Sequence, residues 1–402
     1  AHTAPRSSAA MDAAAAVASP VGKRRRKKEK DDTPSRQGEP LDAARDGCAP
    51  DAADNERYFC SYAYMYHQMD MLEDEVRTQA YYDAILSNPS CFEGKVVLDV
   101  GAGTCILAMM AARAGARQVF AVEATDMALR GRRIVQANGL GDVVTVIQGT
   151  METATIPCQV DVIVSEWMGY LLLRESMLDS VLHARDRYLK PGGCLFPSHA
   201  NLYLAPVSKV QELAAKKTQW DEEQGHWATF AESMKRSYKF SFACAQEDFM
   251  TEQRKYYLQT GNFVHLAPNQ LVAPGASVLS IDLLKISISD LQPEDALKCV
   301  VPIKSDGPIN GFCCYFDTPF RGSPENPASH EVVLSTAPTA GKTTHWGQQA
   351  FGFYPPLAAK KGDSLECSLW LGRQKENHRL LTLRGKFALY SSDKGGKRAL
   401  KR

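Results

Sequence analysis

The 402-residue sequence lacks several features that would place it in a specialised class of protein. No run of about 18 apolar residues is present, so we expect no membrane-spanning helix and no membrane partner. The Ala-rich start has no hydrophobic segment of the kind that a secretory signal requires. The 11 cysteines are scattered and contain no CxxC pair, which argues for reduced thiols inside a cell and against structural zinc.

An excess of charge of either sign is also missing, because the formal net charge is +1. This balance argues against a globally basic nucleic-acid-binding protein, so we expect no direct nucleic-acid partner. Residues 58–390 hold 31 Lys and Arg against 35 Asp and Glu, so the main body is mildly acidic. An acidic body suits a basic partner.

Aromatic residues are missing from 1–57, which are rich in Ala, Asp and Arg. Such a segment cannot bury enough apolar surface to offset its ordering entropy, so we predict that it is disordered. Its basic run KRRRKKEK, 23–30, is either a nuclear localisation signal or a solvated run of charge. We therefore expect the protein in the nucleus, the cytoplasm or both. Residues 391–402 form a second, basic tail.

What the chain does contain begins with an alternation of helices and strands. Residues from Tyr58 to about Leu86 mix charged and apolar side chains at helical spacing. Short apolar strands then alternate with helical stretches as far as about 197. This alternation predicts an α/β fold, with a doubly wound parallel sheet inside an N-terminal domain of 58–197.

The pattern changes after Pro197, where the strands alternate apolar and polar residues. Such strands, among them SVLSIDLLKISI (277–288), predict an antiparallel β-barrel domain over 198–390. A helical stretch at about 208–258 interrupts the strands and has the composition of an inserted arm, which we place at about 208–240.

A glycine-rich turn, VLDVGAGTCIL, joins the first predicted strand to a helix. Gly101 and Gly103 let the backbone approach a ligand closely at this point. Glu123 ends the next strand, 20 residues after Gly103, which is the spacing at which a carboxylate holds two ribose hydroxyls. Nicotinamide enzymes share this signal, so the pattern alone leaves the ligand open.

Two details of the turn favour S-adenosylmethionine over a dinucleotide. The sixth position of a GxGxxG pattern would be Ile106 instead of Gly or Ala, so a pyrophosphate is poorly accommodated. Asp99 stands immediately before the turn, where its charge attracts a cation and repels a pyrophosphate. A nucleoside that carries an amino-acid group suits both features better.

The segment SEWMGYLLLRESML, 165–178, holds Glu166 and Glu175 among apolar and aromatic neighbours. A spacing of nine puts the two side chains on opposite faces of a helix or a strand. They share a site only if the chain folds back, for which Gly169 offers a turn. Paired carboxylates bind a metal, divide acid and base roles, or hold a cation such as guanidinium, whose planar donors match carboxylates. The alternative is one surface or capping glutamate and one salt bridge in the core.

Five short motifs stand in a definite order along the chain: YFCSY (58–62), VLDVGAGTCIL, VFAVEA, SEWMGYLLLRESML and THWGQ (344–348). They resemble the aromatic N-terminal motif, the cofactor motifs, the double-glutamate loop and the Thr-His-Trp loop of the protein arginine methyltransferases. The resemblance covers most of 58–390 and is strongest to the plant-type members of type I.

The resemblance implies an S-adenosylmethionine-dependent methyltransferase domain followed by a β-barrel domain with a helical dimerisation arm. The residues that would bind the cofactor are Gln68, Arg77, Asp99, Gly101, Glu123 and Glu152. The catalytic residues would be Glu166, Glu175, His345 and Asp74. The substrate pocket would be lined by Tyr62, Met71, Met177 and Trp346. No metal is implied.

Separate tasks within these sets also follow from the resemblance. Arg77 would pair with the methionine carboxylate of the cofactor, Glu123 would hold the ribose, and Glu152 would receive the adenine amino group. Glu166 and Glu175 would hold the substrate guanidinium and leave one of its nitrogens richer in electrons.

Further roles concern the proton and the product. Asp74 and His345 would form a carboxylate–imidazole pair that takes the departing proton. Met71 and Met177 would flank the guanidinium, as in members that make asymmetric dimethylarginine. The chain departs from the family at Cys105, where a third glycine is expected.

The function implied is transfer of methyl groups from S-adenosylmethionine to arginine in proteins, giving mono- and asymmetric dimethylarginine and S-adenosylhomocysteine. Histone tails or Gly/Arg-rich segments would be substrates of a homodimer, with Trp220 and Trp227 of the arm as anchors on the partner. Two rivals stay open. A methyltransferase of small amines should lack the Thr-His-Trp loop and the arm, and a non-catalytic S-adenosylmethionine-binding module would follow if Cys105 spoils the turn.

Overall fold

The computed structural model describes residues 58–258, 261–339, 341–375, 377–391 and 399–401. The segment 1–57, predicted to be disordered, lies outside the described residues with its basic run, and so do 392–398 of the basic tail. The domain boundaries drawn from the sequence remain predictions.

Helices open the described chain. Residues 58–62 are helical, and α1 (Met65–Glu73), α2 (Glu75–Leu86) and α3 (Pro89–Phe92) follow. The carboxylate of Asp74 caps α2, because it accepts the backbone N–H of Arg77 at 3.0 Å. This cap fixes the bend between α1 and α2.

A five-stranded parallel sheet forms the core of the N-terminal domain, in the order β3-β2-β1-β4-β5. The strands are β1 (Val96–Val100), β2 (Gln118–Glu123), β3 (Val144–Gln148), β4 (Val160–Val164) and β5 (Leu189–Phe196), joined in part by α4 (Ile106–Arg113), α5 (Met127–Ala137) and α6 (Met177–Tyr188). Every residue of β1 is buried, as is typical of a parallel strand covered on both faces. The strand order reverses next to β1, which is where ligands bind in open α/β sheets. The predicted doubly wound fold is confirmed.

Antiparallel strands form the C-terminal barrel domain. One sheet has the order β7-β12-β10-β6-β8, with β11 paired to the end of β10, and the other has the order β15-β14-β13-β9. The strands are β6 (His199–Val207), β7 (Asn262–Val264), β8 (Ala276–Asp282), β9 (Leu297–Pro302), β10 (Gly307–Gly322), β11 (Pro327–Ser335), β12 (Gln348–Ala359), β13 (Ser364–Arg373), β14 (Leu381–Tyr390) and β15 (Ala399–Lys401). Every second residue of β13 from Leu365 to Leu371 is buried, as the period-two pattern predicts.

The strand predicted over 277–288 is only half correct, because β8 ends at Asp282. The carboxylate of Asp282 accepts the N–H of Leu284 at 3.1 Å, and its carbonyl accepts the N–H of Ile286 at 2.9 Å. Aspartate favours such turns over extended backbone. The apolar residues after Asp282 therefore form a turn in place of a strand.

The inserted arm is a pair of helices, α7 (Val210–Tyr238) and α8 (Gln246–Leu258). The ring of Trp227 on α7 stacks on Phe249 of α8 at a centroid distance of 4.6 Å and meets Phe230 at 5.3 Å. Trp227 therefore holds the two helices of the arm together, and its role as an anchor on a partner stays a prediction. Although α7 has 29 residues, neither it nor another helix in the described part of the chain is apolar enough to span a membrane.

Candidate active site

The glycine-rich turn after β1 has an unusual backbone conformation. Gly101 and Gly103 have φ angles of 75° and 51°, and Cys105 follows with φ 65° and ψ 24°. All three lie in the left-handed region, which glycine adopts freely and other residues adopt at a cost of about 1 kcal/mol. The Cys105 thiol is fully buried against Gly131, where an added Cβ would lie 2.7 Å from the sulfur. The cysteine that replaces the family's third glycine thus keeps a glycine-like backbone.

The carboxylate of Asp99 is buried at the start of this turn. Its Oδ2 accepts the backbone N–H of Ala108 at 3.0 Å, whereas its Oδ1 has no hydrogen-bond partner among the described residues. Burial raises the pKa of Asp99 to about 7, the Ala108 N–H opposes that rise, and the charge of Glu123 adds to it. A buried acceptor left without a partner beside such a turn fits a donor on a ligand.

Glu123 is held at the end of β2 by the chain itself. Its Oε1 accepts the N–H and the hydroxyl of Thr125 at 2.8 Å and 2.6 Å. Its Oε2 accepts the N–H of Gly103 at 2.9 Å. A carboxylate offers about four acceptor positions, so one remains for a ribose hydroxyl. The spacing of 20 residues noted in the sequence therefore does bring this acid onto the glycine turn.

Two predicted site residues pack directly on the glycines. The Nε2 of Gln68, on α1, donates to the carbonyl of Tyr62 at 2.9 Å, and a Cβ added at Gly103 would lie 2.6 Å from the Oε1 of Gln68. A Cβ added at Gly101 would lie 2.7 Å from the Cε of Met177, the first residue of α6. The left-handed φ angles favour glycine at both positions, and the ends of the Gln68 and Met177 side chains pack against it.

Glu152 lies in the loop after β3 with its side chain exposed. Its Oε1 accepts the hydroxyl of Ser180, on α6, at 2.7 Å. Partial burial pushes the pKa of this carboxyl up, but the Ser180 hydroxyl and the N–H of Glu152 itself hold the pKa below its ordinary value. Glu152 is therefore tied through Ser180 to the helix that begins at Met177, and its contact with adenine stays a prediction.

The loop between β4 and α6, which carries both glutamates, folds back on itself. The N–H of Gly169 donates to the carbonyl of Leu172 at 3.1 Å, in an antiparallel bridge. Four residues of the loop have left-handed φ angles, namely Leu171, Leu172, Glu175 and Ser176. Gly169 has no such angle, but a Cβ there would overlap the carbonyl oxygen of Arg174. Gly169 thus permits the fold-back by letting two backbone segments touch, and not by a special φ.

Glu166 is bound to Arg77. Its Oε2 accepts the Nε of Arg77 at 2.9 Å and lies 2.8 Å from Nη2, while its Oε1 accepts the N–H of Met168 at 3.1 Å. The Nη1 of Arg77 donates to the carbonyl of Met71 at 3.0 Å, and the Met71 side chain is half-buried. The sequence assigns Arg77 to the cofactor and Glu166 to the substrate, whereas the structure joins them directly. Both tasks stay compatible, because these contacts use three of the five guanidinium donors.

Glu175 is bound by two tyrosines. Its Oε2 accepts the hydroxyl of Tyr62 at 2.6 Å, and the hydroxyl of Tyr58 also lowers the pKa of this carboxyl. Burial raises the pKa of Glu175, the Tyr62 hydroxyl opposes the rise, and the charge of Glu166 adds to it, so that the pKa lies above its ordinary value. The charge of Glu166 reaches Glu175, so the fold-back has brought the two glutamates near each other.

Asp74 and His345 form the pair that the resemblance implies. The Nδ1 and the backbone N–H of His345 lie 2.7 Å and 2.8 Å from the Oδ2 of Asp74. Burial raises the pKa of Asp74, but hydrogen bonds from His345 and Arg77 outweigh it and hold the pKa below its ordinary value. Trp346 is only 4% exposed and donates its Nε1 proton to the carbonyl of Met168 at 2.9 Å. Trp346 thus supports the double-glutamate loop, and its place in the substrate pocket stays a prediction.

Sequence reasoning misses three residues of the site. Tyr58 stands four residues before Tyr62, so a helix puts both on one face, and that spacing could have identified it. Tyr81 is buried and donates its hydroxyl proton to the carbonyl of Ser165 at 2.8 Å, at the start of the loop. Arg379, in the turn between β13 and β14, donates to the carbonyl of Glu175 at 2.8 Å across 204 residues. No local sequence pattern predicts this last contact.

The arrangement fits S-adenosylmethionine. The unpartnered Oδ1 of Asp99 suits a ligand donor, and the remaining acceptor position of Glu123 suits a ribose hydroxyl. Gly101 and Gly103 give the turn the left-handed backbone that lets a ligand approach closely. Among the described residues, no group of three or more His, Cys, Asp and Glu side chains could hold a metal ion.

Two protein-family models match the chain. The arginine methyltransferase oligomerization subdomain matches 198–392, and a methyltransferase domain matches 97–193. Protein arginine N-methyltransferase PRMT10 of Oryza sativa subsp. japonica is 45% identical over 352 residues, which cover 86% of this chain and 92% of that protein. The protein of the same name from Arabidopsis thaliana is 44% identical over 330 residues, covering 82% and 86%.

Solved structures agree with these matches. A crystal structure of Arabidopsis thaliana protein arginine methyltransferase 10 in an open conformation is similar with a TM-score of 0.80 and 42% identity, covering 85% of this chain and 98% of that one. The Trypanosoma brucei PRMT1 enzyme-prozyme heterotetrameric complex with AdoHcy is similar with a TM-score of 0.71 and 30% identity, covering 84% and 98%. The chain therefore belongs to the protein arginine N-methyltransferase family.

Proposed function

We propose that this protein transfers methyl groups from S-adenosylmethionine to the guanidino nitrogens of arginine residues in proteins. The observation that carries the proposal is the folded-back loop that brings Glu166 and Glu175 together. The loop begins beside the cofactor turn, because the hydroxyl of Ser165 donates to the carbonyl of Val100 at 2.7 Å. The relatives from rice and Arabidopsis are named as protein arginine N-methyltransferases.

The two glutamates bind and orient the substrate guanidinium. Both reactants of the reaction are cations, so two partly buried carboxylates bring together groups that repel each other in water. Fixing the guanidinium from two sides also aligns one nitrogen for attack, and positioning of this kind lowers the barrier. Charge drawn toward the nitrogens that the glutamates bind leaves the attacking nitrogen richer in electrons.

S-adenosylmethionine, when bound, supplies a methyl group activated by the positive charge of a sulfonium. The chain's own residues hold it: Gln68, Arg77, Asp99, Gly101, Glu123 and Glu152. Arg77 links this group to the substrate side, because the same guanidinium that would receive the methionine carboxylate already binds Glu166.

The Asp74–His345 pair is suited to take the proton that the attacking nitrogen loses. Nδ1 of His345 is bound to Asp74, so Nε2 is the nitrogen that accepts a proton. The carboxylate of Asp74 stabilises the imidazolium that results. The loop of His345 also carries Trp346, which ties it to the double-glutamate loop.

The product is proposed to be mono- and asymmetric dimethylarginine, as in type I members. Support comes from the methionines at 71 and 177, where the type I members of the family place methionine. Met177 packs against Gly101 and Met71 contacts Arg77 through its carbonyl, so both stand next to residues of the cofactor site. A methionine side chain is flexible enough to admit a guanidinium that already carries one methyl group.

The active form is proposed to be a homodimer in which the arm docks on the partner's α1. Support comes from α1 and Tyr64 just before it, because apolar side chains are exposed here: Tyr64 is 50%, Tyr66 56% and Met69 52% exposed. Exposed apolar side chains that lie close together suit contact with a second apolar surface. On the arm side, Tyr238 and Phe240 are 63% and 67% exposed and offer such a surface.

Histone tails or Gly/Arg-rich segments are proposed as substrates, since the acidic body between 58 and 390 attracts basic chains. A nuclear and cytoplasmic location is proposed from KRRRKKEK at 23–30. A fluorescent fusion with these basic residues replaced by alanine tests it, because a working signal would be lost and nuclear fluorescence would fall.

The test of function is methylation of a Gly/Arg peptide with labelled S-adenosylmethionine, followed by a mass spectrum of the product. Wild type is expected to give mono- and asymmetric dimethylarginine. Glu166→Gln and Glu175→Gln should each lose more than about 100-fold in kcat while staying folded, because loss of charge removes both binding and polarisation.

The rivals predict different results in the same assay. A small-amine methyltransferase would label amines and leave the peptide unlabelled. A non-catalytic module would bind S-adenosylmethionine in calorimetry and label nothing. Symmetric dimethylarginine in the mass spectrum would refute the type I assignment and leave the methyltransferase assignment standing.

A further inference from the structure

The turn between β13 and β14 reaches from the barrel to the double-glutamate loop. The backbone N–H of Glu175 donates to the carbonyl of Arg379 at 2.7 Å, and the Nη1 of Arg379 donates to the carbonyl of Glu175 at 2.8 Å. Next to them, the hydroxyl of Ser176 donates to the carbonyl of His378 at 2.7 Å. Both backbone polar groups of Glu175 are therefore bound by one residue of another domain.

These bonds hold a backbone that would otherwise relax. Glu175 and Ser176 have φ angles of 82° and 55°. A left-handed conformation costs about 1 kcal/mol or more for each residue that is not glycine. Such a conformation persists only when its surroundings specify it. Here, three hydrogen bonds from the β13–β14 turn hold Glu175 and Ser176 in this conformation.

Arg379 also acts on the side chain of Glu175. Its guanidinium carbon lies 4.0 Å from the ring centroid of Tyr58 and 5.4 Å from that of Phe59. A guanidinium at this distance attracts the ring face and fixes its position. The hydroxyl of Tyr58 in turn lowers the pKa of the Glu175 carboxyl. Arg379 thus reaches Glu175 by two routes, one through the backbone and one through an aromatic ring.

We propose that Arg379 is a positioning residue for methyl transfer, through which the barrel domain sets both the backbone and the carboxylate of Glu175. This inference rests on the proposed function. Arg379 contacts Glu175 and Tyr58, and it affects the substrate only by positioning these two residues. The barrel accordingly contributes to catalysis through the β13–β14 turn as well as through His345.

A consequence for pH follows from the route through Tyr58. The hydroxyls of Tyr62 and Tyr58 both lower the pKa of Glu175, against burial, which raises it. Without Arg379, Tyr58 loses the contact that places it, and the pKa of Glu175 rises further. Because Glu175 must be ionised to hold a guanidinium, the acid limb of the kcat/KM profile should move to higher pH.

The experiment compares Arg379→Ala, Arg379→Lys and Tyr58→Phe with a matched control, Arg384→Ala. Arg384 also stacks on an aromatic ring, 4.8 Å from Trp370, on the neighbouring part of the same strand pair. Arg379→Ala should lose about 100-fold in kcat, the effect of a catalytic group misplaced by about 1 Å. S-adenosylmethionine affinity should be unchanged, and Arg384→Ala should behave as wild type.

Further readouts separate positioning from a purely structural role. Tyr58→Phe should reproduce the shift of the acid limb with a smaller loss of kcat, and it should add little to Arg379→Ala in a double-mutant cycle. Arg379→Lys keeps the charge over the ring but loses the guanidinium fork, so it should rescue the acid limb and only part of kcat.

Three results would overturn the proposal. One is a folded Arg379→Ala protein with wild-type kcat and pH profile. A second is an Arg379→Ala protein in which kcat, S-adenosylmethionine affinity and thermal stability all fall together, as general damage to the fold would cause. The third applies if Arg379→Ala does not fold. In that case, wild-type kcat and pH profile in both Tyr58→Phe and Arg379→Lys would overturn the proposal.

Hydrogen exchange separates this proposal from the proposed function. Peptides covering 166–176 should exchange faster in Arg379→Ala than in wild type, whether or not the protein methylates the peptide substrate. Failure of wild type to methylate would refute the proposed function alone, whereas unchanged exchange in Arg379→Ala would refute the positioning role.

Discussion

Asp99 and Cys105 are two residues of the cofactor turn that lower the stability of the folded chain. Asp99 is 1% exposed, with one oxygen bound and the other without a partner among the described residues. Cys105 is fully buried in a left-handed conformation. Both residues are therefore less favourable in the folded chain than ordinary residues would be, and strain of this kind is typical of ligand sites.

Asp99→Asn should change the dependence of stability on pH. Burial raises the pKa of Asp99 from 3.8 to about 7, so the folded state binds the proton more tightly than the unfolded state. The free energy of unfolding should therefore fall as pH rises from about 4 to about 7, by at most about 4 kcal/mol from this residue. Asparagine keeps the acceptor for Ala108 and cannot ionise, so the variant should lose less stability over this range.

The measurement is urea unfolding without S-adenosylmethionine at pH 5 and pH 8, for wild type and Asp99→Asn. The difference between the two proteins isolates Asp99 from the other titrating groups. Equal losses of stability in both would contradict the raised pKa.

Cys105 is best tested by comparing two variants. Cys105→Gly relieves the left-handed strain, but it also empties the space that the thiol fills against Gly131, and the two effects of about 1 kcal/mol oppose each other. The gain in stability from relieving the strain is therefore largely offset. Cys105→Ala loses most of the thiol packing and keeps the strain. We expect the free energy of unfolding of Cys105→Gly to be about 1 kcal/mol higher than that of Cys105→Ala.

Calorimetry on the same two variants measures the affinity of the cofactor turn for S-adenosylmethionine. Cys105→Gly should bind S-adenosylmethionine at least as tightly as wild type does. If alanine proves as stable as glycine at this position, the turn already suits a side chain and the strain argument fails.

At the level of elements, the double-glutamate loop depends on one close approach between backbone segments. Leu171 and Leu172 take left-handed φ angles of 54° and 66°, and the loop turns there without a glycine. Gly169 permits the bridge to Leu172 because its lack of a Cβ leaves room for the Arg174 carbonyl. Trp346 and Tyr81 then fix the two ends of the loop's first half from other parts of the fold.

Gly169→Ala should displace the loop and reduce kcat about 100-fold, since both glutamates move with it. The barrel core lies elsewhere, so the circular dichroism spectrum should stay that of a folded protein. Gly225→Ala is the matched control, because a Cβ at that position in α7 meets nothing within 4 Å. A Gly169→Ala protein with wild-type kcat would show that the close approach is not needed.

For the whole molecule, assembly depends on a surface that a single chain leaves apolar. The α1 helix lies over the cofactor turn through Gln68, so a partner that covers its outer face would also stiffen the site. The arm consists of both α7 and α8, joined by the stacked Trp227 and Phe249. A deletion limited to 208–240 would therefore expose Phe249, and surface substitutions are the cleaner test.

The double variant Tyr66→Glu, Met69→Glu should be monomeric and nearly inactive, because two charges on α1 cannot be buried against an apolar partner. Light scattering should give one chain of 44.2 kDa for the variant and twice that mass for wild type. Val300→Glu is the control, since Val300 is 55% exposed on β9, away from α1. A dimeric variant, or a fully active monomer, would refute the proposed assembly.

The sequence by itself determined the fold class and most members of the site. The glycine turn and Glu123 follow from a strand–turn–helix unit that is local in the chain, and alternation of period two marks β13. Asp74 and His345 were found only through the resemblance, since 271 residues separate them. Short-range spacing and backbone periodicity carry this information because they depend on neighbours in the chain.

Only the tertiary structure decided which partners these residues take. It joined Arg77 to Glu166, bound Trp346 to the loop, placed Trp227 inside the arm and brought Arg379 onto Glu175. Each of these contacts links side chains that a sequence pattern treats as independent. Their choice follows from the packing of domains and helices that lie far apart in the chain, and no local propensity encodes that packing.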